Sequence, residues 1–276
     1  MAARMTQVDK APTTQPIAAP ARRMGRYGYP ALSLVLLVIV WQLGVWIVKP
    51  APYLLPGPIE VVQVAAAQIG PLLYHSAITA FETLLAFVLS VLVAVPLAFL
   101  IVRFRWFEES VYPILVISQA VPKVALAPLI LVWLGFGLST KVIIGVLVAF
   151  FPVVISTVVG LKSVPRDMVH LGRSMGLSQI DMFRKIYFPS ALPSIFGGLK
   201  VCITLAVVGA VVGEFVGADR GLGYLVLVAS GQLQTALMFA ALLFLVLIGV
   251  ASFGMVQWAE QRLMPWHVSV RADGSH

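Results

Sequence analysis

The stretch KSVPRDMVHLGRSMGLSQIDMFRKIYFPS, Lys162–Ser190, decides how the rest of the chain is read. It is a polar, basic interruption between two long apolar runs, and its residues specify two short helices set at an angle. Asp167 is placed to start the first, since an acidic side chain suits the positive end of the helix dipole. Gly176 interrupts the helical pattern and can take the left-handed conformation that ends a helix. Ser178 can then cap the second, with Asp181 in its first turn. Ile180, Phe183 and Ile186 fall on one face of that second helix, and Pro189 and Pro193 bracket the start of the next apolar run. A short helix pair with an apolar stripe and basic flanks suits docking into a partner protein. A loop lying on lipid headgroups is the competing reading, and the residues alone leave both open. The same holds for Arg173, Arg184 and Lys185, which can pair with acidic protein groups or with headgroups.

The flanking runs make this a membrane protein. Val142–Leu161 carries no charge between Lys141 and Lys162, and Leu192–Gly213 carries only Lys200. A membrane-spanning helix needs about 20 mostly apolar residues. Ala31–Val48 and Thr83–Val102 meet that test, as does Ala236–Trp258. Ser110–Leu134 is apolar but broken by Pro113, Pro122 and Pro128, with Lys123 inside it. Proline removes a backbone donor and kinks a helix, and such breaks occur at membrane depth where protein or a watery cavity covers the freed groups. Pro122, Lys123 and Pro128 are therefore candidates for a pathway or gate, because charge within a span marks function by default. Snorkelling to the interface is the other reading of Lys123, and the preferred one for Lys200. The uncharged run Gly221–Ala259 is divided by the polar patch Ser230–Thr235, and the piece before that patch, too short to cross, reads as an interfacial helix. The expectation is an all-α membrane protein with six spans, or seven if Gly221–Ala240 crosses.

Composition agrees with this reading. The chain has 276 residues, 60% of them hydrophobic and 11% charged, against about 25% charged in soluble domains. The net charge of +8 does not call for nucleic acid, because cytoplasmic loops of membrane proteins collect Lys and Arg. With the N-terminus inside, Arg103, Arg105, Lys162, Arg166, Arg173, Arg184, Lys185 and Arg262 lie on the cytoplasmic side, as do the basic residues of both tails. Lys49, Lys141 and Arg220 remain outside. That bias places both termini in the cytoplasm. Residues 1–29, rich in Ala, Pro, Thr and Arg, read as a disordered cytoplasmic tail. Residues 30–262 form the membrane domain, with the loop 162–190 inside it, and 263–276 a C-terminal tail. Glu82 and Glu214, near the outer ends of their spans, are candidates for an outer gate or for contact with an external protein, alongside Asp219 and Arg220.

The loop resembles the signature of binding-protein-dependent ABC permeases. That signature is Glu-Ala-Ala, three residues, Gly, nine residues, Ile, one residue and Leu-Pro. It falls here on His170-Leu171-Gly172, then Gly176, Ile186, Phe188 and Pro189. Gly, Ile and Pro keep the full spacing, whereas His stands for Glu, Leu and Gly for the two Ala, and Phe for Leu. Leu54-Leu-Pro-Gly-Pro58, Gln119-Ala-Val-Pro-Lys-Val-Ala-Leu-Ala-Pro128, Trp133-Leu-Gly135 and Glu214-Phe-Val-Gly-Ala-Asp-Arg-Gly-Leu-Gly-Tyr224 are similar to the nitrate, sulfonate, taurine and pyrimidine-precursor branch of that family. The resemblance covers about residues 30–260. It implies the type I importer fold in a bacterial inner membrane, a dimer of permease subunits (a homodimer is the expectation), two cytoplasmic ATPases and an external solute-binding protein. It further implies that residues around 172–184 form a coupling helix. His170, Gly172, Arg173, Gly176, Ile180, Phe183, Arg184, Ile186 and Pro189 would meet the ATPase, with Ile180 and Phe183 as apolar anchors. The cargo implied is a small anion or heterocycle.

Neither a motor nor a catalytic site is written in the chain. No G-x-x-x-x-G-K-[ST] stretch cradles a phosphate, so ATP would be bound and hydrolysed by a partner, and no cofactor or enzyme activity is expected here. His75, His170, His267 and His276 are scattered over loops and tails, and neither a catalytic nor a metal site is expected among them. Cys202, the single cysteine, reads as a small packing residue. An ion-gradient-driven transporter would want internal repeats and acidic residues deep in the spans, and neither is seen.

Overall fold

The computed structural model describes residues 28–264. The expected tails therefore lie almost wholly outside the described residues. The chain divides into two compact units, 1–49 and 50–276. The first contributes one charge-free helix, α1 (Gly28–Val48), which is long and apolar enough to cross a membrane.

The regular elements of the second unit are all helices among its described residues. In order it contains α2 (Pro58–Ala67), α3 (Ile69–Arg103), α4 (Tyr112–Ser118), α5 (Ala127–Leu134), α6 (Leu138–Lys162), α7 (Arg166–Ser174), α8 (Gln179–Met182), α9 (Phe188–Gly217), α10 (Leu222–Gly231) and α11 (Thr235–Leu263). Four runs here are long and apolar enough to span: α3, α6, Gln179–Gly217 and α11. A bent pair, Phe107–Ser118 with Lys123–Leu134, turns by 86° at its break. Counted as one crossing with α1, it gives the six expected spans. A seventh is not available, because α10 has ten residues, about 15 Å of helix, half a hydrocarbon core.

The prolines of the bent pair act differently from the expectation. Pro128 sits in the first turn of α5, where the missing N–H costs little, and Pro113 follows a π-helical turn, Phe107–Val111, that runs straight into α4. The break falls at Gln119–Pro122, and Pro122 precedes a 3₁₀ turn, Lys123–Leu126, that leads into α5.

α3, α6 and α9 form the centre. Their shared core holds Ala86, Ala94 and Ala98 of α3, Ala149, Val153 and Val158 of α6, and Cys202 and Ala206 of α9. Small side chains let membrane helices approach closely and gain dispersion contacts that lipid cannot supply. Closest of all are Gly145 and Gly209, where a Cβ on Gly209 would stand 2.6 Å from the Gly145 Cα. No side chain larger than hydrogen fits either position, so α6 and α9 are fused over their length.

Candidate functional site

Both ends of the α6–α9 pair carry polar structure. At one end lies the loop that joins the two helices. α7 has Asp167 in its first turn and stops at Gly176, whose φ is +70°. The Gly176 N–H donates to Arg173 O at 3.0 Å and the Leu177 N–H to Gly172 O at 3.1 Å, the paired closing bonds of a left-handed helix stop. The Asp181 N–H then donates to Ser178 Oγ at 3.1 Å, capping α8.

The second helix is not separate from the span that follows. α8 passes through a π-helical turn, Phe183–Tyr187, directly into α9. Pro189 lies in the first turn of α9 and Pro193 inside it. The expected angled pair is thus one short helix, α7, leaning on the extended foot of α9. Gly172 is buried at the contact. A Cβ there would lie 2.7 Å from Ile186 Cδ1 and would also collide with Met182.

This packing reassigns the apolar stripe. Ile186 is buried, and Phe183 turns inward, 4.9 Å ring to ring from Phe99 and 5.9 Å from Phe188. Ile186 holds the loop to the bundle, and Phe183 packs against it while staying partly exposed. What faces outward is Ile180, 68% exposed, with Met175, 70% exposed, and Leu171 and Met168 beside them. His170, Arg173 and Arg184 are exposed at the rim of this patch. The sequence reading passed over Met168, Leu171 and Met175, although their spacing along α7 marks one helix face.

At the other end, Glu82 and Glu214 are neither solvated nor free to meet another protein. Both are at least 98% buried. Glu82 of α3 forms a buried ion pair with Lys141 of α6. Glu214 of α9 accepts from the Thr79 hydroxyl at 2.6 Å and from the Gly223 N–H at 2.5 Å. The Leu222 N–H donates to Thr79 Oγ1 at 2.8 Å, and the Gly221 N–H to His75 Nδ1 at 3.0 Å. The first turn of α10 is thereby tied to α3 and α9 through donors that a helix start otherwise leaves unpaired. Gly221, at φ +115°, has the Glu214 carboxylate where a Cβ would stand. His75 lies in α3, not in a loop, and α10 is buried along Leu222, Leu225, Val226 and Ala229. Asp219 and Arg220 are exposed and pair with each other at 3.1 Å, and Arg220 holds the Asp219 carboxyl below the usual range. Beside this network is a cavity of about 840 Å³, with Tyr74, Phe81, Phe136 and Arg220 in its lining.

The remaining embedded lysines also resolve. Lys200 pairs with Glu260, in the last turn of α11. Lys123, half-buried at the bend, places Nζ 4.5 Å from the centre of the Phe151 ring. Phe151 is buried near the middle of α6, about 16 Å along the helix from Lys162 and about 20 Å from Leu138. No four-methylene stem reaches an interface from there. A lysine at a helix centre costs about 2.5–3.5 kcal/mol on insertion scales, and a cation–ring contact returns about 0.5–2 kcal/mol. The ring therefore offsets only part of the cost.

Comparison with known proteins agrees with this architecture. Residues 86–265 match the family described as "Binding-protein-dependent transport system inner membrane component". The chain is 36% identical over 254 residues to the riboflavin transport system permease protein RibX of Chloroflexus aurantiacus, covering 90% of this chain and 95% of the relative. It is 35% identical to the formylaminopyrimidine transport permease protein ThiX of Halalkalibacterium halodurans, over 86% and 95%. The putative aliphatic sulfonates transport permease protein SsuC of Escherichia coli is 30% identical, over 84% and 89%. The inward-facing MetNI methionine ABC transporter shares the fold, with a TM-score of 0.61 at 20% identity over 75% of this chain and 97% of that one. The chain belongs to the family of binding-protein-dependent transport system inner membrane components.

Proposed function

We propose that this chain forms half of the translocation pathway of an ATP-driven importer, with α7 and the foot of α9 docked on a separate ATPase. The observation that carries this reading is the exposed patch Met168, Leu171, Met175 and Ile180. It stands beside Arg173 and Arg184 on a loop that joins the two most tightly fused helices. Exposed apolar groups clustered at a rigid junction mark a protein interface, and the basic rim suits an acidic cleft. The loop would face the cytoplasm with both termini, in a bacterial inner membrane. A second permease subunit, a second ATPase and an external binding protein would complete the assembly. The cargo is a small solute of the kind named for the relatives, a sulfonate, taurine or a small heterocycle.

The geometry suggests how docking reaches the far side. α6 ends three residues before α7, and α8 runs into α9. A displacement of the loop therefore moves α6 and α9 as one body through the Gly145–Gly209 contact. At the far end that body carries Lys141 and Glu214, which grip α3 and α10. Rigid-body motion of a packed unit converts a small push into rearrangement at the opposite end.

The test is Met175→Asp combined with Ile180→Asp, both at exposed positions. The double variant is expected to keep its thermal stability, lose co-purification of the ATPase and lose vanadate-sensitive uptake. Normal co-purification and uptake would refute the docking surface. Uptake by the wild-type chain driven by an ion gradient without ATP would refute the importer reading.

A further inference from the structure

We propose that Lys123 and Phe151 form a station at mid-depth of the pathway for an acidic group on the cargo. This rests on the importer reading above and names the chemistry of the solute.

Three lysines lie within the apolar spans: Lys123, Lys141 and Lys200. Lys141 is matched by Glu82 and Lys200 by Glu260. Both are neutralised from within the bundle, so neither is left to attract a solute. Lys123 has no carboxylate partner among the described residues, and its neighbour is the face of Phe151. The three cations therefore separate into two structural ones and one whose counter-charge is missing.

Its position adds to this. Lys123 opens the second arm of the bent pair, directly after Pro122 at the 86° break. A break in a span persists at membrane depth where it lines a passage or is covered by protein. Lys123 is half-buried, not sealed, and in this proposal its open side borders the pathway. The ring face offers a weak, sideways attraction that an acidic group outcompetes, because a charged hydrogen bond is stronger than contact with a quadrupole. The ammonium would rest on Phe151 while the station is empty and swing to the acid as cargo passes. Arginine would preserve the charge and glutamine would remove it at similar length.

The probe is methanesulfonate, with dimethyl sulfone as its neutral isostere and sodium chloride matching ionic strength, titrated against the purified full-length chain in detergent. Methanesulfonate at about a hundred times its Kd is expected to raise Tm by roughly 5 °C in the wild type and in Lys123→Arg. It should leave Lys123→Gln unmoved, and dimethyl sulfone should leave all three unmoved. An equal shift with dimethyl sulfone, a methanesulfonate shift that survives Lys123→Gln, or no shift in the wild type overturns the proposal. In proteoliposomes with the ATPase and binding protein, Lys123→Gln should cut uptake at least about tenfold while ATPase co-purification stays intact. Uptake unchanged by Lys123→Gln also overturns it. Loss of ATPase co-purification with the wild-type chain would instead fault the importer reading.

Discussion

The two ends of the α6–α9 pair are held by different means. The Lys162–Ser190 end is built from contacts within the loop itself: the Gly176 stop and the Ser178 cap, each within a few residues of its partners, and the Gly172 seat against Met182 and Ile186. Its outer face is apolar and open. The opposite end is built from contacts between residues 59, 135, 143 and 146 positions apart, and its two glutamates are buried, Glu82 paired with Lys141 and Glu214 held by hydrogen bonds. One end is made to meet something else, and the other to hold the bundle together while it moves.

If that contrast is right, injuries at the two ends should differ in kind. The largest effect is expected for Lys141→Ala, which leaves Glu82 buried without its partner. Breaking a buried pair from one side costs about 3–5 kcal/mol, read as a steep fall in Tm and in yield from membranes. Replacing both partners, as in Glu82→Gln with Lys141→Met, should recover most of that loss. A single variant as stable as wild type would show that the pair is not structural. Gly172→Val comes next, since its side chain would strike Met182 and Ile186. Overpacking of this sort costs about 1–3 kcal/mol. Here the readout that sharpens the contrast is ATPase co-purification, which should fall further than stability does. Smallest are Gly176→Ala, which forces a Cβ into the left-handed region at about 1–2 kcal/mol, and Ser178→Ala, which removes a cap at about 1 kcal/mol. Both should loosen the loop, seen as faster amide exchange over Arg166–Met182, without altering exchange at Leu222–Ala229.

The same contrast explains what the sequence made legible. The helix stop at Gly176 and the cap at Ser178 depend on neighbours two to four residues away, so their residue types announce them. The six spans follow from apolar length, and the docking loop from its polarity and spacing. The contact of Phe183 with Phe99 was not legible, because one helix face looks alike whether it turns to a partner or to the bundle. The continuity of α8 with α9 was missed because Gly176 and Pro189 suggested two boundaries where only Gly176 is one. The far network was hidden because Glu82 and Lys141 read as two separate span ends. A signal did exist: opposite charges at the same end of two adjacent spans are candidates to pair. Thr79 and His75 gave none, as a single hydroxyl or imidazole in a helix has many uses. Lys123 lay between those cases. Its residue type drew attention, but its depth came only from Phe151.

The central claim is that the Met175 face docks on an ATPase. Cys202 is the single cysteine and is fully buried, so a Cys202→Ser background carrying Met175→Cys presents one reactive thiol. A short bifunctional maleimide–amine cross-linker applied to native membranes should join that thiol to the ATPase chain, with the yield changing when ATP and vanadate are added. The same background with Glu60→Cys, at an exposed site on α2, should give no ATPase adduct. An ATPase adduct from Glu60→Cys and none from Met175→Cys would contradict the account.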